Sequence, residues 1–100
     1  MTVLYEVNLD VDAAVEAAYR DWLRAHVAEI LALPGFLDAR VFDVLEPAPA
    51  PGRVGLCVHY RLRDVAALQA YFDQHAARLR EDGLARFGVR FSASRRVLRG

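Results

Sequence analysis

Three reactive side chains alternate along one short run of the sequence: Cys57, His59 and Arg61 within GLCVHYRL. Successive side chains of an extended chain point to opposite faces, so a thiol, an imidazole and a guanidinium here share one face of a strand. The residues between them, Leu56, Val58, Tyr60 and Leu62, make the other face apolar. An imidazole is a general base or a donor near neutral pH. Arginine binds carboxylates and other anionic oxygens in a planar fork. Other alternating runs carry matching polar positions: Glu6 and Asn8 in VLYEVNL, Asp38 and Arg40 in FLDARVFDVLE, and Ser92, Ser94 and Arg96 near the end of the chain. In the chemical reading His59 is a base. Arg40, Arg61 and Arg96 hold an anion, Asn8 orients it, and Glu6 and Cys57 complete the lining. The bland reading has the same arginines paired with Glu6 and Asp38, His59 bonded to a carboxylate, and Cys57 as a small buried thiol. Residue types alone leave both open.

The elements that must position these groups follow from periodicity. Residues 3–9 alternate, with Val3, Tyr5, Val7 and Leu9 on one face. Asp12 or Asp10 is a candidate cap for a helix over 13–33, in which Val15, Tyr19, Trp22, Leu23, Val27 and Ile30 recur at helical spacing. Pro34-Gly35 ends it. Residues 36–46 alternate again, with Leu37, Ala39, Val41 and Leu45 expected on the apolar face. The segment PAPAPGR permits neither helix nor strand. After the Cys57 strand, Asp64 caps a second helix expected over 65–80, with Gly83 as its stop and one short turn at 84–87. A last strand covers 91–98, where Arg95 shares a face with Phe91, Ala93 and Val97. The order βαββαβ predicts an α+β, ferredoxin-like fold: a four-stranded antiparallel sheet of spatial order 4-1-3-2 with two helices on one face.

Bulk properties narrow the function classes. The 100 residues make a single domain, residues 1–100, with a modest core. Net charge is zero, with all 13 basic residues arginine, which argues against nucleic acid or a membrane surface as partner. One cysteine excludes an internal disulfide, and no spacing such as H-x-x-x-H marks a metal site, so neither metal nor cofactor is expected. The first residues lack a basic segment and a long apolar run, and the default is a bacterial-type cytoplasmic protein.

Two helices cover one side of the sheet, leaving Leu4, Phe42, Val44 and Leu98 among the polar groups of the other. A second copy packed on that side makes a homodimer with a sheltered cavity suited to a small ligand. The run W22LRAH26 … LPGF36LDARVF42 resembles the W-x-x-x-H … G-F-x-x-A-R segment of dimeric α+β-barrel proteins, a superfamily that includes antibiotic-biosynthesis-monooxygenase-like enzymes. Over nearly its whole length, through the ending EDGLARFGVRFSASRRVL, the chain is similar to a family of short bacterial proteins of unknown function within that group. The resemblance implies a homodimeric barrel binding a small acidic or aromatic molecule. It adds His26 as a second catalytic candidate, and implies a cofactor-independent monooxygenase or an isomerase. The alternatives are a non-catalytic sensor or accessory protein and, more weakly, a haem or metal handler using Asn8 and His75. Trp22 is expected in the core.

Overall fold

The computed structural model describes residues 2–100. Strand β1 (Val3–Asp12) leads through a 3-10 turn into helix α1 (Glu16–Leu31). Strands β2 (Phe36–Asp43) and β3 (Arg53–Leu62) follow, then helices α2 (Val65–Gln74) and α3 (Ala76–Phe87) and strand β4 (Phe91–Arg99). The sheet is antiparallel throughout in the order β2-β3-β1-β4, the order predicted, read from the opposite edge. The fold is therefore the ferredoxin-like α+β arrangement, with every helix on one side.

The core lies between sheet and helices. Val3, Tyr5, Leu9 and Val11 of β1 and Leu56, Val58, Tyr60 and Leu62 of β3 meet Tyr19, Leu23 and Ile30 of α1, Leu68 and Tyr71 of α2, and Leu79 of α3. Caps act locally: the Asp12 carboxylate accepts from the Ala14 N–H, and Asp64 from the Ala67 N–H at 2.8 Å. Arg20 donates to both Glu16 and Asp43, tying α1 to the edge strand β2.

Three details depart from the sequence reading. The pairing slips between Phe36 and Asp38, a bulge that sends Phe36 into the core and leaves Leu37 exposed. The expected second helix is longer and divides at His75 into α2 and α3. Gly83 does not stop it. Gly83 is buried inside α3 against the Trp22 ring, from which a Cβ would stand only 3.0 Å. The helix ends instead at Gly88, where φ is +54°. Gly35 has φ +88°, and its missing Cβ makes room for Ala67, which seats the α1–β2 turn against α2.

Candidate functional site

The strand register gathers most of the expected polar groups on the sheet face away from the helices. Glu6 sits opposite His59 and Arg96, and Asn8 opposite Cys57. Glu6 is 6% exposed and is the one buried charged residue among those described. Its Oε1 accepts from Arg96 Nε at 2.7 Å and Asn8 Nδ2 at 3.0 Å, and its Oε2 lies 3.1 Å from His59 Nε2 and 3.2 Å from Arg96 Nη2. The Arg96 and Asn8 hydrogen bonds hold its carboxyl down to about 2. Burial opposes this but is outweighed by the two hydrogen bonds. Arg61 donates through Nε to Asp38 at 3.0 Å. Arg40 lies over the Phe42 ring at 5.2 Å, and that ring meets His59 edge-on. Desolvation, then the Glu6 charge, pushes the Cys57 thiol up, so by itself it is a poor nucleophile. Glu6, Asp38, Arg61 and Arg96 thus find charged partners within the face, and Arg40 has the Phe42 ring alone among the described residues.

A wide, open hollow of about 550 Å³ borders this face at Asn8, Val44, Ser94 and residues 47–50, and a smaller pocket walled by aromatic rings is on the other side. Between α1, α3 and the sheet lies a cavity of about 260 Å³. Its floor is buried and aromatic, from Tyr5, Tyr19, Tyr60 and Tyr71. Its mouth is marked by the exposed residues Arg80, Leu84 and Arg95. Burial raises the phenols of Tyr19 and Tyr60 and pushes Tyr71 up to about 12, so all three remain hydroxyl donors at neutral pH. Arg80 Nη2 donates to the Tyr5 hydroxyl at 3.4 Å. The charge of Arg95 reaches Tyr19, Tyr60, Tyr71 and His26.

His26 and Trp22 stand one helical turn apart on α1 and stack at 4.4 Å with their planes 21° apart. Both line the cavity, so Trp22 is half-buried at its wall rather than closed inside the core. Desolvation lowers the His26 imidazole, partly offset by the charges of Glu29 and Asp82. It is therefore neutral at pH 7 and has a lone pair to accept a proton. No side-chain hydrogen bond holds it among the described residues.

The sheet separates the two expected bases. His59, Glu6, Asn8, Arg40, Arg61, Arg96 and Cys57 share the helix-free face, and His26 faces the cavity. His75 stands at the α2–α3 junction on the helix side, so the haem pairing of Asn8 with His75 is not assembled. Sequence reasoning missed Arg80, Arg95 and the tyrosines. One signal was present: Arg95 is a charge on the apolar face of β4. A second arrangement also went unseen. One ligand-type atom each of Glu6, Cys57 and His59 lie within 4.8 Å of one another, because pairing between strands assembles what spacing along the chain does not show.

Comparison with solved structures returns the same fold at low identity. A protein of Deinococcus radiodurans assigned as an antibiotic biosynthesis monooxygenase superposes with a TM-score of 0.75 at 15% identity, over 98% of this chain and 91% of that one. A variant of SnoaB, a cofactor-independent oxygenase from Streptomyces nogalater, gives 0.72 at 11% identity, over 98% and 92%. The de novo designed protein Foldit4 gives 0.69 at 14% identity, over 100% and 99%. A designed chain matching this well shows that the likeness carries the fold and no activity. Comparison with curated proteins finds no match. The sequence model of one family spans residues 2–100, and the chain belongs to that family, the domain of unknown function DUF4286.

Proposed function

We propose that this protein is a homodimer joined through its helix-free sheet faces and that each copy binds a small aromatic molecule bearing an anionic oxygen in its helix–sheet cavity. The observation that carries the proposal is the cavity itself: an aromatic floor, a neutral histidine without a fixed partner, and two arginines at the mouth. A cavity of about 150 Å³ holds benzene and drug-sized pockets begin near 300 Å³, so about 260 Å³ suits one or two rings. Tyr19 and Trp22 offer ring faces and Arg95 a fork for a carboxylate or phenolate.

This places the ligand on the side opposite to the one expected from sequence. Glu6 and Asp38 already take up Arg96 and Arg61, which leaves Arg40 as the one guanidinium of the sheet face without a carboxylate partner among the described residues. Paired charges are, however, cheaper to cover than free ones, and Leu4, Phe42, Val44 and Leu98 lie among them. That face suits a second copy of the chain better than a solute.

As an enzyme, the protein fits the reaction class named for SnoaB, oxygenation without a cofactor. What this chain supplies is a base, His26, to take a proton from a phenol or an acidic C–H, and Arg95 and Arg80 to stabilise the oxyanion that results. The other reading is a non-catalytic sensor. It draws support from the helix-free face, where His59, Arg61 and Arg96 are each paired with a carboxylate. Fluorescence of the single tryptophan tests the binding step. Hydroxylated benzoates should quench Trp22 saturably, with the effect weakened in Arg95→Met. Unchanged emission across such a panel removes the proposal's support.

A further inference from the structure

The geometry points to a divalent transition-metal site, of the kind that takes Zn²⁺, formed by Glu6, Cys57 and His59 on the helix-free sheet face. It is independent of the cavity on the other side. The three groups are one carboxylate, one thiol and one imidazole, which together make a mixed O, S, N set of the zinc type. Tetrahedral zinc with ligand distances of about 2.0–2.3 Å holds its N and O ligands about 3.4 Å apart and its S ligand about 3.6 Å from either. His59 Nε2 and Glu6 Oε2 already stand 3.1 Å apart. The Cys57 sulfur lies within 4.8 Å of a carboxylate oxygen of Glu6 and of a ring nitrogen of His59, so it must close by up to about 1 Å to reach ligating distance.

Two strands fix this arrangement. Cys57 and His59 are alternate residues of β3, and Glu6 is the direct partner of His59 on β1, so the backbone holds all three without a loop. Glu6 Oε1 stays bonded to Asn8 and to Arg96 Nε when Oε2 turns to the metal, which is the outer hydrogen bonding that orients a ligating carboxylate. Arg96 must give up only its longer contact, 3.2 Å from Nη2 to Oε2. Its side chain is 65% exposed in the single chain, so that end is free to turn aside before a second copy covers this face. On binding, the Cys57 S–H bond breaks, its proton leaves to solvent and the thiolate coordinates. Thiolate and carboxylate then offset the dication, with the Arg96 charge remaining beside them. Three protein ligands leave the fourth position on the side away from the sheet, facing the second copy in the proposed dimer.

The chelator-treated full chain, titrated with Co²⁺ and then with Zn²⁺ against a chromogenic chelator, tests this. One Co²⁺ per chain should bind, with a thiolate-to-cobalt charge-transfer band and d–d absorption of tetrahedral intensity. About one proton should be released per metal. Cys57→Ser should lose the band and weaken Zn²⁺ about 100-fold, with Asn8→Ala weakening it about tenfold while keeping the band. His59→Gln, at a partly exposed position, is the variant to read if Cys57→Ser does not fold, and it should also weaken Zn²⁺ about 100-fold. His75→Ala should bind like the unaltered chain. Absence of the charge-transfer band, or Zn²⁺ affinity unchanged in His59→Gln, overturns the assignment.

Discussion

Replacing Arg95 with methionine should halve the thermal stabilisation that a hydroxylated aromatic acid gives this protein. A ligand that binds only the folded chain, present at 100 times its dissociation constant, stabilises by about 2.7 kcal/mol. For a domain of this size each kcal/mol moves Tm by about 4–8 °C, so the unaltered chain should gain about 10–20 °C. A hydrogen bond to a charged group is worth about 1.5–3 kcal/mol. Arg95 is exposed at the cavity mouth, where solvent screens it, so the low end applies. About 1.4 kcal/mol is a tenfold loss of affinity. The ligand then stands at ten times its dissociation constant, the stabilisation falls to about 1.4 kcal/mol, and the Tm gain to about 5–10 °C. His26→Ala should cut it further, since it removes both a hydrogen-bonding nitrogen and the ring stacked on Trp22. Differential scanning fluorimetry of the three proteins, with His59→Gln as the control on the opposite face, reads this directly. A Tm gain unchanged in Arg95→Met but abolished in His59→Gln would refute the reasoning, because the ligand would then lie on the sheet face.

Gly35→Ala should destabilise the fold by about 2–4 kcal/mol in urea denaturation, since the residue holds φ +88° and its Cβ would overlap that of Ala67. Acid should expose the burial of His26. Desolvation lowers its folded-state pKa below the ordinary 6.5. The stability this gives is complete above 6.5 and is lost as pH falls through 6.5 toward the folded value. The urea midpoint should therefore drop less between pH 7 and pH 5 in His26→Gln than in the unaltered chain. Equal drops would show that the charges of Glu29 and Asp82 offset its burial and the charge of Arg95. Phe42→Arg combined with Leu98→Arg should leave the circular dichroism unchanged and reduce the mass seen by light scattering to one chain, and a retained dimer would place the contact elsewhere.

The architecture was legible in the sequence because strand alternation and helical spacing act over short distances. Tyr5, Val7 and Leu9 announce their face, and so do Val58 and Tyr60. Positions whose role depends on a distant neighbour were not legible. Gly83 looks like a helix stop until Trp22 is known to lie against it, and Leu37 looks apolar-faced until the bulge before Asp38 appears. The sheet-face residues were correctly grouped, since alternation alone sorts them. Their hydrogen bonds depend on register, which set Glu6 between His59 and Arg96. The cavity was the least visible feature. Its residues come from six elements, and only Arg95, a charge on an apolar strand face, and His26, singled out by the family resemblance, marked it in advance.

The helix-side placement of the ligand is the claim on which most else rests, and nuclear magnetic resonance can decide it with two reporters. Trp22 is the only tryptophan and Asn8 the only asparagine, so each gives an assignable side-chain signal, one from each side of the sheet. Titration with a hydroxylated aromatic acid should move the Trp22 indole N–H and leave the Asn8 amide pair in place. Movement of the Asn8 pair with a stationary indole would contradict the account.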